Sequence, residues 1–338
     1  MQTTFACTLF FLYEVVKTKI VYAVVSDEKD VYLEEVFLST YSLRLHNPDA
    51  FVELVVDSKT DATIKGDRER MLKYIDKKTV VNVPEHYNKV QTSRYLKTSL
   101  RQTVEGDFLF IDSDTIITDS LADADSLTGN VMMVLDYHVS LQQRYNAKSV
   151  RRRLKATGVD WNIEMPYYNS GIMYVKDCEV SRRLFEVWHE KWKNNVETAG
   201  IHFDQIPLAY ANEVTSHPIT ELEGVWNCQI MNNGLPFLNR AKIIHYFMSF
   251  AGIRAAKPYR FHDKQLLLDI RREGDMPAHI ADMVERAREM FLTPNQIAAG
   301  SEIALLNNSL YKLYIYHPRI YSLFNTIARY IIKIKSSK

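Results

Sequence analysis

Two carboxylates stand two residues apart in Asp112-Ser113-Asp114, directly after the apolar run Phe108 to Ile111. A β-strand alternates its side chains between faces, so residues i and i+2 point to one side. The spacing therefore predicts that Asp112 and Asp114 converge. Carboxylates that close repel unless something positive lies between them. A divalent cation is the economical candidate, and such a cation usually carries a substrate phosphate. The pair suggests a nucleotide-dependent enzyme.

The surrounding pattern shows what must position the pair. Lys19 to Ser26 is a near-continuous β-branched run, the pattern of a strand buried on both faces. Val31 to Leu45 has helical spacing of Leu, Val, Phe and Tyr. Phe51 to Val56 predicts a second strand, Asp67 to Ile75 a helix and Thr79 to Val83 a third strand ended by Pro84. Gln91 to Val104 predicts a helix, and Phe108 to Ile111 the fourth strand. This alternation implies an α/β fold with a mostly parallel, doubly wound, Rossmann-like sheet. Such sheets bind ligands beyond the carboxyl ends of their strands. Ser26-Asp27, Asp57 and Asp112 all fall there. For Asp27 and Asp57 the alternative is capping of the helix that follows.

The second half is less regular. Val131 to Leu135 and Gly171 to Val175 predict strands, Cys178 to Asn194 an amphipathic helix, and Ile243 to Ile244 a short strand running into His245. From Asp263 the pattern turns helical. We expect an N-terminal extension over 1–18, a catalytic domain over 19–262 and a helical C-terminal region over 263–338. Phe5 to Val16 has the apolarity of a signal core. No Lys or Arg precedes it and Glu14 interrupts it, so an extended start is expected before an anchor or structural arm.

With 42 Lys and Arg against 41 Asp and Glu, the formal net charge is +1, which argues for neither a nucleic acid nor an acidic partner. Cys7, Cys178 and Cys228 are few and scattered, which suggests a reducing, cytoplasmic setting without a disulfide framework. No Cys/His cluster has zinc-finger spacing.

Together these motifs resemble the family-8-type glycosyltransferases, the class of glycogenin and of bacterial galactosyl- and glucosyltransferases. The resemblance runs from Lys19 to His245, about two-thirds of the chain. It implies a GT-A fold and a metal-dependent, retaining transfer of a hexose from a UDP-sugar to a glycan or lipid-linked acceptor, as in surface polysaccharide biosynthesis. Val24-Val25-Ser26-Asp27 is similar to the family's nucleotide entry, where Val25 and Asp27 would meet uracil and ribose, and Asp57 would serve the same donor. Arg94 and Lys97 share a helix face before the acidic motif. The resemblance turns Arg94 toward donor phosphate and sugar, with Lys97 beside it; the plain alternative is solvated surface. Asp112, Ser113 and Asp114 match the metal-binding motif, and His245 would be the third ligand. An imidazole beside two carboxylates suits Mn²⁺ better than Mg²⁺.

The same resemblance implies further site residues. Asn169-Ser170-Gly171 is similar to an element that contacts donor sugar hydroxyls, though alone it is only a turn signal. Asp204 and Gln205 resemble a catalytic Asp-Gln pair. Asp204 would bind sugar hydroxyls, and Gln205 would lie near the anomeric carbon and stabilise positive charge there. Structurally, Asp204 could instead cap a helix. Trp226-Asn227 sits where the family has an aromatic-Asn pair, expected to pack first and touch substrate second. After His245 the sequence departs from the family, because Lys257-Pro258-Tyr259 lies too far along; Lys257 is carried as the residue that would grip the diphosphate. A haloacid-dehalogenase-like phosphatase would need a Thr or Val where Ile116 stands. A nucleotidyltransferase would want a glycine-rich loop after the first strand, and a catalytically silent scaffold would not need the intact acidic and histidine residues. The tail from Leu310, rich in aromatics, Lys and Arg, fits either peripheral contact with an anionic membrane or a packed helical lid.

Overall fold

The strands Lys19–Val24 (β1), Val52–Asp57 (β2) and Phe108–Ile111 (β4) are buried on both faces, which is why their sequences are continuously apolar. The computed structural model describes residues 15–144, 146–159, 166–247, 261, 263–292 and 309–335. Within it, alternate side chains of these strands feed two separate cores. Ile20, Tyr22, Val24, Leu54, Val56, Leu109 and Ile111 pack on one side with Leu33, Val36 and Phe37 of helix α1 (Tyr32–His46). Val21, Val55, Phe108 and Phe110 pack on the other with Leu96, Leu184, Phe185, Trp188 and Leu208. Each fully buried side chain of this kind stabilises the fold by about 1.5–3 kcal/mol before entropy is counted.

The main sheet has seven strands in the order β3-β2-β1-β4-β7-β6-β8, where β3 is Lys77–Val81, β6 is Val131–Leu135, β7 is Tyr168–Val175 and β8 is Ile219–Glu221. The pairs β1·β2, β2·β3, β1·β4 and β6·β8 are parallel, whereas β7 runs antiparallel to both β4 and β6. A small second sheet has the order β5-β10-β9, from Thr115–Ile117, Ile243–His245 and Cys228–Gln229. The mostly parallel α/β sheet is as expected from the sequence.

Local differences have physical causes. Strand β3 begins at Lys77, earlier than its apolar residues indicate, because Glu53 is buried in β2 and needs partners. Lys77 Nζ at 2.9 Å, Lys19 Nζ at 2.9 Å and Thr79 Oγ1 at 2.7 Å supply them. The stretch Gly66–Leu72 is a 3₁₀ helix rather than a longer α-helix. The helix expected over Gln91 to Val104 is two, α3 (Lys89–Thr98) and α4 (Leu100–Thr103), after a short α2 (Ser58–Thr63). Asn88 and Gln91 form a reciprocal capping box that starts α3. Tyr168-Asn169-Ser170 is strand, not turn.

Further helices are α5 (Ala147–Ala156), α6 (Glu179–Ala199), α7 (Gln205–Val214) and α8 (Lys264–Glu273). Leu267 and Ile270 of α8 join the core of α1, and Arg271 binds the buried Glu34 carboxylate at 2.7 and 2.9 Å. The region after residue 262 thus begins as part of the same core. The last two helices, Ser309–Tyr316 and Pro318–Lys335, expose Leu310, Tyr314, Tyr316, Ile320, Leu323, Phe324 and Ile327. No described helix is long and apolar enough to cross a membrane.

Candidate active site

Strand pairing, more than strand alternation, brings the chemistry together. Asp112 and Asp114 lie in the bend between β4 and β5, not on a strand. The β4·β7 pairing continues past Ile111, so the Asp112 N–H donates to Gly171 O at 2.8 Å. The β5·β10 pairing sets His245 opposite Thr115, and the Tyr246 N–H donates to Asp114 O at 3.1 Å. Ligand atoms of Asp112, Asp114 and His245 then lie within 4.8 Å of one another. The predicted convergence is found, by a different backbone route.

Gly171 makes the third contact sterically. A Cβ added there would meet His245 Cε1 at 2.2 Å and Nδ1 at 2.8 Å. The close approach that this glycine permits is therefore to the imidazole ring.

The positive side of the site comes from α3. The Lys97 ammonium, almost fully buried, reaches the two Asp112 carboxylate oxygens at 2.7 and 2.8 Å. Arg94 Nε lies 3.4 Å from Asp204 Oδ1, and Lys97 Nζ lies 3.8 Å from Oδ2. Burial pushes the Asp112 carboxyl up; Lys97 opposes that, and Asp114 adds to it as a like charge. Burial also acts on Asp204, but Arg94, Lys97 and the Ser170 hydroxyl outweigh it and hold this carboxyl below its ordinary range. Asp204 occupies the N-cap position of α7 without a side-chain capping bond. Its carboxylate instead accepts from Ser170 Oγ at 2.8 Å.

A cavity of about 550 Å³ opens over these groups. That volume is in the range of small-ligand pockets. Val25, Arg94, Lys97, Asp112, Ser113, Asp114, Asn169, Asp204, Gln205 and His245 all line it, so ten of the residues singled out from sequence share one wall. Asp57 does not line it. Its carboxylate accepts from the Thr60 and Lys59 N–H groups and caps α2, the helix-cap alternative. Asp27 is also off the lining. It accepts from the Lys29 N–H at 2.8 Å and pairs with Lys89 Nζ at 2.5 Å, and that lysine holds its carboxyl low. The N-cap of α1 is Val31, so Asp27 is not its cap either. Lys257 lies outside the described residues.

Asp136 escaped sequence reasoning. It is buried at the end of β6, pairs with Arg144 at 2.6 Å and accepts from Asn169 Nδ2 at 2.9 Å and from the Gln205 side chain. A carboxylate directly after the apolar run Val131 to Leu135 was the available signal, the same one that drew notice to Asp57 and Asp112. Glu35 is a second missed residue; it is buried on α1, lines the cavity and accepts from Ser113 Oγ at 3.2 Å.

The donor set fits a divalent cation. Two carboxylates and one ring nitrogen converge within 4.8 Å at a cavity wall, and Lys97 pairs with Asp112 from the side.

No protein-family model and no curated protein matches the chain. Solved structures do. The galactosyltransferase LgtC, in complex with donor and acceptor sugar analogues, superposes with a TM-score of 0.50 at 15% identity, covering 78% of this chain and 99% of that one. An active-site mutant of LgtC gives a TM-score of 0.51 at 15% identity, covering 75% and 95%. The bifunctional glycosyltransferase WbbM gives 0.50 at 15% identity, covering 79% of this chain and 53% of that one. The chain has the GT-A fold of these glycosyltransferases, the fold expected from the family-8 resemblance.

The Asp204 ion pairs carry a pH signature. A carboxyl whose pKa is depressed on folding contributes stability above its unfolded value, near 3.9, and loses it as pH falls through the lower native value. Asp204→Asn is expected to lower stability by about 1–3 kcal/mol at neutral pH. It should also flatten the loss of stability below about pH 4. Urea unfolding from neutral pH into that range checks this; identical pH slopes for both proteins would contradict it.

Proposed function

We propose that this protein is a metal-dependent glycosyltransferase that moves a hexose from a UDP-sugar to a glycan or lipid-linked acceptor with retention of configuration. The observation that carries the proposal is the convergence of Asp112, Asp114 and His245 on one cavity wall of a GT-A fold. LgtC, which shares the fold, is a galactosyltransferase solved with donor and acceptor sugar analogues.

Asp112, Asp114 and His245 would hold Mn²⁺ (or Mg²⁺), which when bound supplies positive charge to a diphosphate leaving group. The protein's own groups take the other roles. Val25, which lines the cavity at the end of β1, would border the nucleoside. Arg94 lies 3.4 Å from Asp204 on the cavity wall, where it would meet a donor phosphate or sugar. Asp204 stays ionised and presents a hydroxyl acceptor to the sugar. Gln205 is steadied through its Nε2 donation to Tyr168 O at 3.2 Å, and its amide dipole can face developing positive charge at the anomeric carbon. A neutral amide is a poor nucleophile, so charge stabilisation is the role assigned to it.

Ligand-dependent melting tests the donor site, because binding to the folded state raises the midpoint by mass action. UDP is expected to stabilise the wild type only with Mn²⁺ present, and Asp114→Ala to abolish that dependence. Equal melting points for wild type with and without both ligands would remove the proposal's support and favour a silent scaffold.

The tail suggests where the acceptor is met. Leu310, Tyr314, Leu323 and Phe324 are exposed beside Lys312 and Arg319, a combination that suits the cytoplasmic, anionic face of a membrane. Deleting 306–338 is expected to release the protein from anionic vesicles while leaving UDP-dependent stabilisation intact. Unchanged vesicle sedimentation would refute the docking role.

A further inference from the structure

Asn227 makes no contact with the cavity, yet it is fully buried and hydrogen-bonded at both ends of its amide. Its Nδ2 donates to Asn169 Oδ1 at 2.9 Å, and its Oδ1 lies 2.9 Å from His245 Nδ1. Asn169 is in turn fixed from two directions. The Gly171 N–H, which can only donate, meets Asn169 Oδ1 at 2.9 Å. The Asp136 carboxylate, held by Arg144 at 2.6 Å, accepts from Asn169 Nδ2 at 2.9 Å.

The polarity of the chain follows from these two ends. Because Asn169 must present its oxygen toward Gly171, the group of Asn227 that meets that oxygen is the NH₂. The opposite end of Asn227 is then a carbonyl oxygen, which can only accept. The proton of a neutral His245 is therefore on Nδ1, and the Nε2 lone pair is turned toward Asp114 Oδ1 at 3.2 Å. Left to itself, the ring has a competing arrangement in which Nε2–H donates to that carboxylate, and this arrangement would block Nε2 as a ligand. Gly171 adds a steric constraint, since its missing Cβ leaves room for this ring position and no other residue there would.

We propose that Asp136, Asn169 and Asn227 form a buried hydrogen-bond relay that fixes His245 as the Nδ1–H tautomer and so presents Nε2 to the cation. Asn227 is a positioning residue in this account. The inference rests on the metal site proposed above, and it assigns to Asn169 a structural duty in place of a free amide for the sugar. Partners of a ligand histidine's second nitrogen commonly tune metal affinity by 10- to 100-fold.

The test uses the full chain labelled with ¹⁵N-histidine, free of metal, at about pH 9, where an ordinary imidazole is neutral. Long-range ¹H–¹⁵N spectra of the wild type are expected to show a protonated Nδ1 and a bare Nε2 for His245. Asn227→Leu is expected to move the proton to Nε2 and weaken Mn²⁺ binding, read by electron paramagnetic resonance, by about 10- to 100-fold. Asn227→Asp keeps an acceptor facing Nδ1, though it loses the donor to Asn169 Oδ1, and is expected to retain the tautomer. A protonated Nε2 in the wild type would overturn the relay without any variant having to fold. So would an Asn227→Leu protein with an unmoved proton and unchanged Mn²⁺ affinity. Failure of the metal site itself reads differently: the wild type would show the Nδ1 proton and bind no Mn²⁺.

Discussion

Everything in this site follows from holding two like charges together at a partly dry wall. The Asp112 and Asp114 carboxylates and the His245 ring lie within 4.8 Å. At that separation two full negative charges repel by roughly 3 kcal/mol with an effective dielectric near 20. Lys97 offsets part of this cost from one side by clamping Asp112. The bend between β4 and β5 that carries both carboxylates is tied to Gly171 on one sheet and to Tyr246 on the other. A divalent cation placed between these groups would match both the charge and the donor types.

The two sheets have distinct duties in that arrangement. The seven-stranded sheet supplies rigidity: its strands are packed on both faces, so their carboxyl ends are well determined. The three-stranded sheet supplies convergence. It carries His245 back across more than a hundred residues of chain and sets it antiparallel to the segment that follows the acidic pair. Helix α3 adds the counter-charges. Arg94 and Lys97 come from one turn of α3 and divide their attention between Asp112 and Asp204. The candidate metal-ligating carboxylate Asp112 and the proposed sugar-binding carboxylate Asp204 are thus electrostatically joined before any substrate arrives.

Much of this was legible in the sequence, because it was written in local patterns. Continuous β-branched runs signal strands covered on both faces, and the acidic pair after the fourth such run signals chemistry at a strand end. What stayed hidden depends on partners distant in sequence. Lys77 lies outside the apolar run expected as the third strand, and it joins β3 beside the buried Glu53 of the neighbouring strand. Asp57 and Asp136 carry the same signature, a carboxylate closing an apolar run. One caps the next helix and the other anchors the interior of the site, and only tertiary contacts separate them. Asn227 looked like packing beside Trp226 because a neutral amide has no pattern of its own; its duty appears only when both ends of its side chain are traced.

The central claim is that Asp112, Asp114 and His245 bind one divalent cation together with a nucleoside diphosphate. The most direct measurement is a crystal structure grown with Mn²⁺ and UDP, with anomalous diffraction collected to locate manganese. The account predicts a single strong anomalous peak at the cavity wall, with one oxygen of each aspartate and Nε2 of His245 at about 2.0–2.3 Å and diphosphate oxygens completing the shell. A peak held by the carboxylates with His245 turned away, or UDP bound in that cavity with no manganese between the two aspartates, would contradict it.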